Sequence, residues 1–249
     1  DLVRSRGLGD VYKRQNLRWY LSWVADAMVN CYIAKADLDS EMTVVRNEME
    51  RGENNPFQVL FSKTLATMYQ WHNYGKSTIG ARADVEGVDI DRLKAFYKLY
   101  YQPDNATLIV SGKFDRAAIL THIEKEFAAI PAPTRALPRH YTLDPTQDGE
   151  RQVNVRRVGG VPLILAAYHT PPGAHPDMTA FKLIDLLMSD DPAGRLHQRL
   201  IDNKLAANVF GFSRGAFDPG VAIFGAQLAP GQSVDAAQAC LLYTSDAAD

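Results

Sequence analysis

Over the first half of the chain the apolar residues recur every three or four positions; in parts of the second half they alternate or run together. In "NLRWYLSWVADAMVNCYIAKA", residues 16–36, Leu17, Leu21, Val24, Met28 and Tyr32 fall on one side of a helix. Asp37 or Asp39 is placed to cap the next helix, which runs to about Arg51 and breaks at Gly52 and "NNP". "FQVLFSKTLATMYQ" resumes the helical period through Phe57, Leu60, Phe61, Leu65 and Met68. "WHNYGKSTIGARAD" reads as a loop, in which "HNYG" is a structural turn with Gly75 in a conformation that other residues avoid. A helix over 89–101 opens at Asp89 and stops before "QPDN", where Pro103 ends it and Asn105 begins a strand.

"ATLIVSG", 106–112, is a short and largely apolar run closed by Gly112, the pattern of a buried strand. Residues 115–128 are helical, with Ile119, Ile123 and Phe127 aligned. Four prolines between Pro131 and Pro145 then make an extended linker poor in core residues. Beyond it, "QVNVRRV" alternates like a strand and "LILAAYH" is apolar. "DMTAFKLIDLLM" and "AGRLHQRLIDNKL" are helical, and "ANVFGF" and "VAIFGAQL" are strand-like. A domain boundary is expected near residue 145, and the mixture on both sides of it predicts an α+β class.

Composition narrows the function. With 46% hydrophobic residues the chain can bury a real core. A net charge of −2 gives no basic surface for nucleic acid, and no run of about 18 apolar residues spans a membrane. Two cysteines, Cys31 and Cys240, cannot build a disulfide framework. Residues 1–15 and 240–249 join no neighbouring pattern and resemble adaptor-derived translation scars, so both are expected to be non-native tails.

The chemistry centres on "DLDSEMTVVRNEMERGENNP", residues 37–56, where Glu41 and Glu48 stand seven apart, close to two helical turns. From pattern alone such a pair is the polar side of a helix. Val44 and Val45 share that face and predict that it is partly buried, where a carboxylate needs a partner or a metal. None of the six histidines forms an H-x-x-x-H or H-x-x-E-H pair, and each reads as a surface or turn residue. No G-x-S-x-G is present, and Cys31 sits in an apolar helical pattern where a packed thiol is expected. "GKFDR" and "IGARAD" hold too few glycines for phosphate loops, and "RRVGG" reads as a solvated strand end.

Four segments carry a family resemblance: "DLDSEMTVVRNEMERGENNP", "HNYGKSTIG", "FYKLYYQPDNATLIVSGKFD" and "GRLHQRLIDNKLAANVFG". From about Asn16 to Gln238 the chain resembles the pitrilysin and insulinase family of inverted-zinc-motif peptidases. The resemblance implies two homologous-type α/β sandwich domains, each a mixed, mainly antiparallel sheet packed against helices. Both would be incomplete: residues 16–145 the C-terminal part of a catalytic-type domain, and 146–239 the N-terminal part of a second, inactive-type domain. It implies Zn²⁺ held by two histidines of H-x-x-E-H and by a later glutamate, which Glu48 matches. Glu41 matches a supporting glutamate that orients a ligand. In such a site the ion's open position takes a water that the motif's own glutamate deprotonates for attack on a peptide carbonyl.

This chain departs from that pattern in two places. H-x-x-E-H is absent from the 249 residues, so the piece alone is expected to be inactive. An arginine and tyrosine that touch substrate in active-site-facing copies of the second domain are replaced here by Leu200 and Ala207. The resemblance further implies a hollow, two-halved enzyme, peptide or unfolded polypeptide substrates, a partner half or homologous subunit, and a bacterial envelope location. The alternative is a non-catalytic scaffold or substrate-binding homologue.

Overall fold

The structure, a computed structural model, describes residues 14–246. Residues 1–13 and 247–249 of the expected tails lie outside the described residues. The chain divides into two compact units. One holds the described residues up to Glu48 together with Ile79–Tyr141; the other holds Met49–Thr78 and the described residues from Thr142 onward.

The first unit is built of helices joined by extended segments. Helix α1 (Arg14–Asn30) buries Leu17, Leu21 and Val24 as its spacing predicts. It ends before Tyr32, which is 85% exposed rather than buried. Helix α2 (Lys35–Glu53) begins three residues earlier than an Asp37 cap allows. Asp37 and Asp39 therefore lie inside the helix, where Asp39 pairs with Lys35 at 2.9 Å. A short α4 (Arg82–Glu86) precedes α5 (Ile90–Tyr100), whose first turn is capped by Asp89, and α6 (Arg116–Phe127) is capped by Asp115. Each capping carboxylate accepts an amide that the helix leaves unpaired.

The core of this unit joins α1 to α6 through Leu17, Leu21 and Ile119, with Val110, Phe114 and Ile123 packed around them. The segment 106–112 forms no strand, and Ile109 in its middle is 80% exposed. A ladder partner makes a strand, and none of the described residues supplies one. Arg135 fixes the start of the linker: its Nε donates to the Leu99 carbonyl at 2.6 Å and its Nη2 to Asp104 at 2.7 Å. That hydrogen bond holds the Asp104 carboxyl below its ordinary range.

The second unit contains a three-stranded antiparallel sheet in the order β1 (Leu163–His169), β3 (Val221–Leu228), β2 (Ala206–Arg214). The register runs from Leu163 opposite Gln227 to His169 opposite Val221, and from Phe210 opposite Gly225 to Arg214 opposite Val221. β3 lies between two strands and is covered on both faces, which explains its unbroken apolar run.

On one face, α7 (Met178–Ser189) and α8 (Val234–Asp246) enclose Ile164, Ala166, Val209 and Phe224. On the other, α3 (Pro56–Met68) packs Phe61, Leu65 and Met68 over Val221, Ile223 and Phe212. The α+β class and the antiparallel sheet layered between helices are as expected. Burying each large core side chain contributes about 1.5–3 kcal/mol, and Leu196, Leu200, Ile223 and Leu228 are covered completely. At Gly225 a Cβ would stand 2.5 Å from the Phe210 ring and 2.6 Å from Leu165, so no side chain fits there.

Three local expectations change here. Residues 152–158 form no strand, and Val158 is fully exposed. "AGRLHQRLIDNKL" is helical only over residues 195–201, of which His197–Ile201 is a π-helix, and a turn follows in which Lys204 has a φ of 60°. Residues 240–246 continue α8, and Leu241 packs into the core with only 1% exposure.

Candidate functional site

Helix α2 shows which of its sides is covered. Leu38 and Met49 are buried and Met42, Val45 and Gly52 half-buried, an inward stripe with spacings of four, three, four and three. Glu41, Val44 and Glu48 form the neighbouring strip, and all three are exposed, Val44 at 50%. The sequence groups Val45 with the two glutamates on a partly buried face. Instead, the structure turns Val45 inward and leaves the carboxylates outside. Their axial separation is about 10 Å, which suits a supporting rather than a co-ligating role for Glu41.

The donor set can be tested directly for zinc. A catalytic zinc takes three protein donors and keeps one open position. Among the described residues no three His, Cys, Asp or Glu side chains come close enough to hold a metal ion. Glu48 is exposed, so a three-donor zinc site does not fit the described residues by themselves.

Leu200, which the resemblance sets at the place of a substrate-contacting arginine, is completely buried beside Leu196 and Leu228. A guanidinium there would be an unpaired charge in the core, and Leu200 cannot reach a substrate. Ala207 is exposed, at the β-bulge between Ala206 and Asn208.

The structure brings together one polar cluster that the sequence shows only as a turn. His72 Nδ1 accepts the Tyr74 amide at 3.1 Å, which places the ring proton on Nε2, facing the Asp218 carboxylate at 3.1 Å. The Asp218 amide donates to the Tyr74 hydroxyl at 3.2 Å, and the Tyr69 hydroxyl donates to the Pro219 carbonyl at 2.9 Å. Asp144 accepts the Trp71 amide at 2.7 Å, while its other carboxylate oxygen is buried without a hydrogen bond. Burial pushes the Tyr69 hydroxyl up to about 12 and draws the neighbouring His169 imidazole below its ordinary value.

"HNYG" is therefore a clasp that ties the end of α3 to residues 218–219, about 145 positions away in sequence. Gly75 serves it through closeness, not through an unusual φ, because a Cβ would lie 2.5 Å from the Tyr69 carbonyl oxygen. Only the density of His, Tyr and Asn in this turn hints at such a network, and its partners lie too far along the chain to be read from it.

Among the described residues no helix is long and apolar enough to cross a membrane. The family description "Peptidase M16 inactive domain" matches residues 87–247, more than half of the chain. The chain is 28% identical to "Zinc protease PqqE" of Helicobacter pylori over 227 residues, 90% of this chain and 51% of that protein. It is 23% identical to "Cytochrome b-c1 complex subunit 1, mitochondrial" of Bos taurus over 66% of its own length and 34% of that subunit. Its fold overlays a crystal structure of a protease from Helicobacter pylori with a TM-score of 0.88 at 26% identity, covering 94% of this chain and 57% of that one. The chain thus spans about half the length of the first of these relatives. With this family description covering residues 87–247, all three strands of the sheet included, the chain belongs to the M16 peptidase family.

Proposed function

We propose that this chain is part of a zinc metalloendopeptidase, non-catalytic by itself, in which Glu48 supplies one metal ligand and Glu41 orients the site. The observation that carries this reading is the pair of carboxylates seven residues apart on one exposed strip of α2, in a chain of this family. The half-exposed Val44 between them makes the strip a surface for further protein to cover. The remaining ligands and the general base come from H-x-x-E-H outside this sequence. Residues 16–145 then form the C-terminal part of the catalytic-type domain and residues 146–239 the N-terminal part of the inactive-type domain. Peptides or unfolded polypeptides are the substrates, and a second half of the same protein or a homologous subunit completes the enclosure.

The test is made on the full-length protein. Glu48→Gln is expected to weaken zinc binding roughly 100-fold or more, and Glu41→Gln about tenfold, the usual size of a supporting-residue effect. Zinc affinity unchanged in Glu48→Gln ends the ligand assignment. A second reading, a non-catalytic homologue, is favoured by the exposure of Glu48 and by a relative whose name is that of a respiratory-complex subunit. The reading frame preceding Asn16 discriminates the two, because only the peptidase requires H-x-x-E-H there.

A further inference from the structure

The geometry points to a groove in the first unit that binds an anionic amphiphile, a molecule with a carboxylate head and a short aliphatic tail. The groove has a volume of about 510 Å³, within the range of small-ligand sites. Met28, Val29 and Ile33, from the end of α1 and the loop after it, form one apolar wall; Pro131 and Pro133 form the other. Val29 is 54% exposed there although it is apolar. The two prolines carry no N–H and present apolar rings, a surface that suits a hydrocarbon tail.

The charge is one-sided. Lys94 and Lys98, one turn apart on α5, both line the groove, and no carboxylate does. Neither ammonium is ion-paired among the described residues. Like charges at this spacing repel. Lys98 is partly compensated by the negative end of the α5 dipole, and Lys94, a turn further in, is not. Two of the other polar groups that line the groove are already in use, and the Tyr32 and Thr134 hydroxyls complete the lining. The Tyr97 hydroxyl donates to the Ala27 carbonyl at 2.6 Å, and the Gln102 amide donates to the Lys98 carbonyl at 3.1 Å. The two lysines are the only charged groups in the lining, and they bind a carboxylate as point charges.

Cys31 lines the same groove and is exposed, which makes it a reporter; Cys240, on α8 of the second unit, is the internal control. Alkylation of the two thiols by iodoacetamide is followed by peptide mass spectrometry on the full chain, with decanoate held below its micellar concentration. Decanoate is expected to slow alkylation of Cys31 and not of Cys240. The decanoate concentration giving half-protection rises about five- to tenfold in the Lys94→Gln/Lys98→Gln variant, the effect of two exposed ion pairs. The inference is overturned if 1-decanol protects as well as decanoate, if the double variant leaves half-protection unchanged, or if Cys240 is protected in parallel.

Discussion

Two apolar runs of this chain, "VAIFGAQL" at 221–228 and "ATLIVSG" at 106–112, have similar composition and opposite fates. The first is the central strand of the sheet: hydrogen-bonded on both edges, buried on both faces, and covered by α3 on one side and α7 and α8 on the other. The second has no ladder among the described residues, and Ile109 is 80% exposed. Propensity is common to both, and the difference lies in their neighbours. A strand's stability resides in its cross-strand pairs and in the layers above and below it.

The contrast can be broken most forcefully at Phe224, which is 4% exposed within the core. Phe224→Ala is expected to destabilise the second unit by about 3–5 kcal/mol, because the cavity cannot collapse inside a paired strand. Hydrogen exchange of the β1, β2 and β3 amides measures it. Unchanged protection would mean that the sheet does not depend on this core.

A smaller effect should appear at high pH through Tyr69. Its folded-state pKa, about 12, lies above the ordinary value of 10, so the folded state holds the proton more tightly. The stabilisation is complete below pH 10 and is lost as pH rises toward 12. The expected loss is roughly 1–2 kcal/mol, reduced from the full linkage value by solvent screening. Urea titrations at pH 9, 10 and 11 should show it, and Tyr69→Phe should flatten the dependence after subtracting its own hydrogen-bond loss of about 1 kcal/mol. At Ile109 the expectation is smallest of all: Ile109→Ala should change stability by less than about 0.5 kcal/mol, as for exposed sites generally. A loss approaching that of Phe224→Ala would show that residues 106–112 are buried in solution, and the contrast would disappear.

The same reasoning separates what could be read along the chain from what could not. Asp89 as a helix start, the α3 stripe of Phe57, Phe61, Leu65 and Met68, and the strand character of 163–169 are all local patterns, satisfied by residues a few positions apart. The orientation of α2 is a finer matter. Val44 and Val45 are neighbours on a helical wheel and both apolar, and only the packing of Leu38, Met42 and Met49 shows which is covered. The reason for glycine at position 75 was also hidden, since it depends on the Tyr69 carbonyl lying where a Cβ would stand.

The sequence by itself determined most of the helices and the Asp89 cap, the apolar runs able to become strands, the order of the family's motifs, and the presence of two glutamates at ligand-type spacing. Those properties depend on short-range periodicity and on side-chain chemistry, which each residue carries with it. Only the tertiary structure decided which apolar runs pair, which unit Met49–Thr78 joins, that the Glu41–Glu48 strip faces outward, and that His72 is committed to Asp218. These outcomes depend on contacts between residues far apart in the chain, whose free energy exists only once the partners have met.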